Sequence, residues 1–245
     1  MNTPNKKPTV SPTRGRRNRT FHKVTGLCLT LPVLLLVLTG IPLELSSQLK
    51  LGSTGVPFIW VHKAYGIELP EQAFVQDGVI ELDGLFLVGD NMRSVAFHGQ
   101  FLAASAQPNF TMILTDKEWL LVARDPSITV DRGDYPAPIT DASFGAGIPM
   151  IATEHGPLNS TDYGASWHPA SATLDAWPAP SSFQPDRNTQ AAYGAALVNW
   201  ERWLQDLHSG RFFGEVGTWV MTAAGAAFLL LAISGLLLWV RTLWR

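Results

Sequence analysis

Two uninterrupted apolar runs frame this chain, and a strand rhythm fills the stretch between them. The first run, Val24–Leu43, holds 20 residues without a charge. At 1.5 Å rise per residue a helix of that length reaches about 30 Å, one hydrocarbon thickness. The second, Gly217–Val240, holds 24 uncharged residues with Trp219 and Trp239 near its ends, where interfacial aromatics belong. Both are expected to be transmembrane helices. Pro32 and Pro42 fall in the first, which a bilayer helix tolerates better than a soluble one.

Between the runs, short apolar segments alternate with turn signals. Leu85–Val88, Ser94–Phe97, Phe101–Ala104, Thr111–Leu114, Trp119–Ala123, Ile128–Val130 and Pro149–Thr153 read as strands. Pairs such as Asp77-Gly78, Asp83-Gly84, Gly89-Asp90 and Arg132-Gly133 separate them at roughly ten-residue spacing, as in an antiparallel meander or small sandwich. Residues 169–188, with four prolines, read as a linker. One amphipathic helix follows over 189–213. Ala192, Ala196, Trp200, Trp203, Leu204 and Leu207 recur at three- to four-residue spacing, Asn199 and Glu201 fall on the polar face, and Gly210 suits the C-terminal cap. Its apolar face is expected either on the outer membrane interface or against the β-rich region.

The fold class predicted is therefore membrane α + β: two transmembrane helices flanking a mainly antiparallel β domain. The expected segments are a basic tail (1–23), helix one (24–45), a β-rich domain with a Pro-rich end (46–188), the amphipathic helix (189–213), helix two (217–240) and a short tail (241–245). Charge sets the orientation. Residues 1–23 carry seven Lys/Arg and no acid, residues 46–216 carry nine Lys/Arg against nineteen Asp/Glu, and Arg241 and Arg245 close the chain. Cytoplasmic flanks hold the basic excess, so both termini are expected in the cytoplasm and the acidic domain on the far side of the membrane. The charged fraction, 16%, is low for a soluble protein. The first run exceeds the h-region of a signal peptide, and its exit Leu43-Glu44-Leu45-Ser46-Ser47 lacks an A-x-A site; it is expected to be retained. An acidic domain argues against nucleic-acid binding, and a single cysteine, Cys28, excludes an intrachain disulfide.

Ser160-Thr161-Asp162-Tyr163-Gly164-Ala165-Ser166-Trp167 fits S-x-D-x-G-x-x-W, the Asp-box. Asp accepts backbone amides of its own turn, Gly takes positive φ, and Trp packs beneath. Ser160, Asp162, Gly164 and Trp167 are thus expected as a structural turn, and no catalytic residue is assigned. The six histidines form no H-x-x-x-H or H-E-x-x-H pair. Three of them, His22, His62 and His208, border apolar segments, and His22-Lys23-Val24-Thr25-Gly26 repeats as His62-Lys63-Ala64-Tyr65-Gly66. They are candidate haem or metal ligands; the alternative is hydrogen bonding to backbone or lipid headgroups. A bis-histidine haem needs two ligands at one depth, which a homodimer supplies by pairing two copies of His22, or which His62 and His208 supply by meeting on the outer side.

Arg19-Thr20-Phe21-His22-Lys23-Val24-Thr25-Gly26-Leu27, running into Leu38-Thr39-Gly40-Ile41-Pro42-Leu43, resembles the first helix of the PepSY-associated transmembrane family. Leu207-His208-Ser209-Gly210-Arg211-Phe212-Phe213-Gly214, followed by Ile233-Ser234-Gly235-Leu236, resembles its terminal helix, and Trp60–Gly66 is similar to a further segment. The resemblance implies a bacterial inner-membrane protein with a periplasmic domain. Larger relatives have four spans, and some are linked to siderophore–iron uptake and periplasmic reduction, with haem held by membrane histidines. His22 and His208 match the family's edge histidines. This chain has two spans and no clear PepSY domain between them. The leading expectation is a non-enzymatic, membrane-anchored periplasmic accessory protein attached to metal or siderophore uptake, its partners being the lipid bilayer and a reductase or transporter. The alternative is a small haem-binding electron-transfer subunit acting as a dimer or with such a partner.

Overall fold

The computed structural model describes residues 12–125, 128, 130–171 and 178–243; for 12–26, 28, 231, 234, 235, 237, 238 and 241–243 it describes the backbone alone. The chain divides into two units, 1–54 together with 199–245, and 55–198.

The first unit is helical. Helix α1 (Pro12–Glu44) carries Pro32 and Pro42 inside it. A one-turn helix, α2 (Ser46–Leu49), follows and ends on Lys50 in the left-handed conformation, φ 53°. After the excursion into the second unit the chain returns with α5 (Trp200–Ser209), a 3-10 turn at Arg211–Phe213 and the long helix α6 (Gly214–Leu243). Asn199 caps α5 by accepting the Arg202 N–H at 2.8 Å, while its amide donates to the Gly52 carbonyl at 2.9 Å. Ser46 Oγ donates to Glu201 Oε2 at 2.8 Å. These bonds pin the start of α5 to α2 and the turn after it, and α5 packs along α1. Gly210 stops α5 with φ 79°. A side chain there would run into the backbone at Gly217, so only glycine lets α6 turn back this tightly.

The stretch Arg211–Leu230, which joins the 3-10 turn to α6, is long and apolar enough to cross a membrane, and 11% of its apolar window is buried. It is no core helix. The described apolar stretch of α1, Leu29–Glu44, is shorter than a bilayer. Leu27, Leu31 and Leu38 on α1 and Val216, Trp219 and Leu230 on α6 are all more than 60% exposed, whereas Thr39 of α1 is 3% exposed.

The second unit begins with α3 (Ile59–Ala64) and closes with α4 (Arg187–Leu197), which pack on each other. Between them lie three antiparallel sheets. The first contains β1 (Ala73–Gln76), β2 (Val79–Leu82), β3 (Leu85–Val88), β4 (Arg93–Ala96) and, beside β1, β13 (Ser181–Phe183). The second runs β5 (Phe101–Ala106), β6 (Phe110–Thr115), β7 (Glu118–Ala123), β8 (Asp131–Asp134). The third runs β9 (Ile139–Gly145), β10 (Ile148–Thr153), β11 (Gly156–Asn159), β12 (His168–Pro169). The β1–β2 and β2–β3 hairpins turn on Asp77-Gly78 and Asp83-Gly84, all with positive φ. That is the type I′ pattern, whose twist matches that of the flanking strands. Phe86, Ile113 and Leu120 anchor the core, and α4 covers the face of β3 through Tyr193 against Leu82 and Leu87.

Three expectations need correction. The helix expected over 189–213 is two helices in different units. Val198 is extended (φ −129°, ψ 113°), its carbonyl accepts the Val56 N–H at 2.9 Å, and Asn199 restarts the helix as a cap. The apolar stripe runs through this break in the sequence, so periodicity alone cannot see it; Asn199 acts as cap, not as polar-face residue. The strand expected at 128–130 lies instead at Asp131–Asp134, a polar stretch held by pairing with β7; Ile128 is in a bend, and 129 is outside the described residues. Finally, the Pro-rich stretch 169–188 contains β13, paired with β1, while 172–177 lie outside the described residues.

Candidate functional site

The structure places the three nominated histidines in different settings. His22 falls in α1, and its side chain is outside the described residues. His62 belongs to the second unit, in α3, and is fully buried. Its Nε2–H donates to the Val56 carbonyl at 2.7 Å. A carbonyl only accepts, so the proton sits on Nε2 and Nδ1 carries the lone pair. That lone pair has no partner and faces Gly194 of α4, where a β-carbon would collide with the ring. Both nitrogens are turned into protein, with no room for a metal or a haem edge. His62 is a packing residue here, not an open ligand.

His208 is different. It lies on the last turn of α5, in the helical unit with α1. Its Nδ1 stands 2.9 Å from Thr39 Oγ1, and Gly40 faces its Cε1. Thr39 Oγ1 also stands 2.7 Å from the Leu35 carbonyl, the i−4 back-bond of helical threonine. A hydroxyl has one proton. Donated to Leu35, it leaves the oxygen to accept the His208 Nδ1–H, and Nε2 then carries the ring's free lone pair. A hydroxyl that fixes the tautomer and aims Nε2 is what a metal-ligating histidine requires. One nitrogen supplies one axial position only, and no group of three or more His, Cys, Asp or Glu able to hold a metal occurs among the described residues.

Thr39, the partner of His208, is not marked by any motif. Its one legible signal was a hydroxyl inside an apolar run. No spacing rule links residue 39 to residue 208; the link exists only once α5 folds back along α1.

The Ser160–Trp167 segment closes a tight turn. Asp162 Oδ1 accepts from Ser160 Oγ at 2.7 Å and from the Ser166 N–H at 2.8 Å, and Oδ2 accepts from Ser166 Oγ at 2.6 Å. Gly164, with φ 101°, donates its N–H to Ser160 Oγ at 2.7 Å. The hydrogen bonds from Ser166, then those from Ser160, hold the Asp162 carboxyl down at about 2. The ring behind Gly164 is Trp119 of β7. Trp167 instead packs edge-on against Tyr135, centroids 5.7 Å apart.

This turn also gathers Ser166, His168 and Asp162, the residue types of a nucleophilic triad. His168 Nε2 lies 3.2 Å from Ser166 Oγ. The order is wrong for catalysis, because the serine stands between histidine and aspartate. Its proton goes to Asp162, a carboxylate far too weak a base to activate it, and no acid among the described residues orients the histidine.

Comparison with protein families matches residues 2–242 to the PepSY-associated TM region. No curated protein and no solved structure matches the chain. With nearly its whole length covered by that match, its apolar α6 and the His208–Thr39 pair on α5 and α1, the chain belongs to the PepSY-associated TM region family.

Proposed function

We propose that this protein is a membrane-anchored accessory protein of the bacterial inner membrane, with α1 and α6 crossing the bilayer, both termini in the cytoplasm, and residues 55–198 presented in the periplasm as an interaction module. The observation that carries the reading is the inverted polarity of the helical unit. Its large apolar side chains point outward, Leu31 73% and Trp219 73% exposed, while the polar Thr39 is turned inward at 3%. Water would penalise both choices, whereas lipid rewards the first and demands the second. The basic excess before α1 and after α6 supports the orientation. The link to metal or siderophore uptake rests on the family alone.

A second reading, a haem-binding electron-transfer subunit, draws on the tautomer that Thr39 imposes on His208. Bound there, haem would supply one-electron chemistry; His208 Nε2 would be one ligand, with the other coming from a second chain, because His22 lies about 25 Å further along α1 from Thr39.

Two measurements on one preparation test these readings. Protease added to spheroplasts is expected to degrade residues 55–198 and spare both tails; protection of the central unit contradicts the proposal. A visible spectrum of protein purified from haem-replete cells separates the two readings. A Soret band lost in His208→Ala supports the haem subunit, and a colourless preparation supports the accessory module.

A further inference from the structure

The second unit holds a cleft of about 360 Å³ whose chemistry is one-sided. Its floor is set by strand register. Phe74 of β1, Glu81 of β2 and Phe86 of β3 are directly paired across the sheet. Residues so paired share one face, which is core at Phe86, fully buried, stacked on Phe97 at 3.8 Å and edge-on to Phe101 at 5.0 Å, and opens to solvent at Phe74, 39% exposed. Glu81 is a carboxylate set into a row of phenylalanine rings. Phe74, Phe97 and Phe101 line the cleft around it, and Asp141 and Gln100 stand at its rim.

Glu81 has one hydrogen bond, from the Gly84 N–H at 3.2 Å, and no ion pair among the described residues. No Lys, Arg or His occurs among the described lining residues. Burial, ahead of the nearby Asp83 charge, holds the Glu81 carboxyl above its ordinary value. A half-buried carboxylate without a counter-charge among the described residues, in an acidic unit with six Lys/Arg against sixteen Asp/Glu over residues 55–198, leaves electrostatic stabilisation unrealised that a cation would supply. Ring faces beside it attract the same charge.

We propose that this cleft binds a small organic cation, an ammonium group on an aryl or alkyl body, with Glu81 as counter-ion, Phe74, Phe97 and Phe101 as apolar walls and Asp141 as a second, solvent-side acceptor. The volume is at the small end of ligand pockets, which suits a free amine better than a folded partner. The cleft lies wholly within residues 55–198, so its ligand does not depend on which way the chain crosses a membrane.

The test is calorimetric titration of the full chain in detergent with phenethylamine, and with phenylacetate and benzyl alcohol as the anionic and neutral matches. Phenethylamine is expected to bind saturably and the other two not. Glu81→Gln keeps shape and hydrogen bond while removing charge, and is expected to weaken binding about tenfold or more. Asp141→Asn, at an exposed position that folding does not rest on, is expected to weaken it less. Absence of saturable phenethylamine binding at about 1 mM, equal binding of phenylacetate, or unchanged affinity in both variants would overturn the assignment. A lysine tripeptide binding more than about tenfold tighter than the amine would overturn its assignment to a small ligand.

Discussion

His208 Nδ1 meets Thr39 Oγ1 at 2.9 Å, joining the last turn of α5 to a buried hydroxyl of α1. Replacing Thr39 by valine keeps the shape and removes the oxygen, leaving a ring nitrogen unpaired between helices. Thr39→Val is expected to lower stability by about 1 kcal/mol, the scale of interhelical hydrogen bonds in membranes. Thermal unfolding in nanodiscs reads it. A matching loss in His208→Ala, with little further loss in the double variant, identifies the pair as the cause.

Gly194 seats α4 against the His62 ring. A methyl group there has no free space, because the ring is held by its bond to Val56. Gly194→Ala is expected to destabilise residues 55–198 by about 2–3 kcal/mol through overpacking, read as a lower urea midpoint.

Asp162 carries a pH signature. Its folded value, about 2, lies below its ordinary 3.8 because two serines donate to it. A depressed carboxylate contributes stability that is present above the unfolded value and is lost as pH falls through the folded one. The wild-type urea midpoint is therefore expected to fall between about pH 4 and pH 2. Asp186 adds to the same fall, since Thr189 lowers its value too. Asp162→Asn is expected to start lower and to fall less over that window; an unchanged pH slope would refute the role of this turn.

Leu230 of α6 is 67% exposed. On a soluble surface Leu230→Arg would be harmless or helpful. In a spanning helix it costs about 2.5–3.5 kcal/mol of insertion free energy, and α6 is expected to insert less, read as labelling of a cysteine at position 245 from outside the membrane. A variant that inserts as well as wild type would place this face in water.

Much of the fold was legible because it rests on local pattern. The Asp-Gly hairpins and strands β3, β5, β6, β7 and β10 lie close to where alternation placed them. What was missed is what pairing decides. β8, with the sequence Asp-Arg-Gly-Asp, has no strand pattern of its own and exists because β7 lends it a partner. β13 is a Ser-Ser-Phe edge beside β1. The α4–α5 break hid inside an unbroken apolar stripe, because Val198 gives up helix to pair with Val56, more than a hundred residues away. The candidate site was half legible for the same reason. His208 announced itself by its position beside an apolar run, whereas Thr39 became its partner only through packing, and His62, which shares the His-Lys-x-x-Gly pattern of His22, folds into a core.

The account depends most on where the chain lies relative to the bilayer. Single cysteines at position 2, at Glu154 in an exposed turn and at position 245, each in a Cys28→Ser background, can be probed in intact cells with a membrane-impermeant maleimide that reaches the periplasm. Labelling is expected at 154 alone, with both tails labelled only after the inner membrane is opened. Labelling of either tail in intact cells, or protection of position 154, would contradict a two-span anchor carrying its β unit outside.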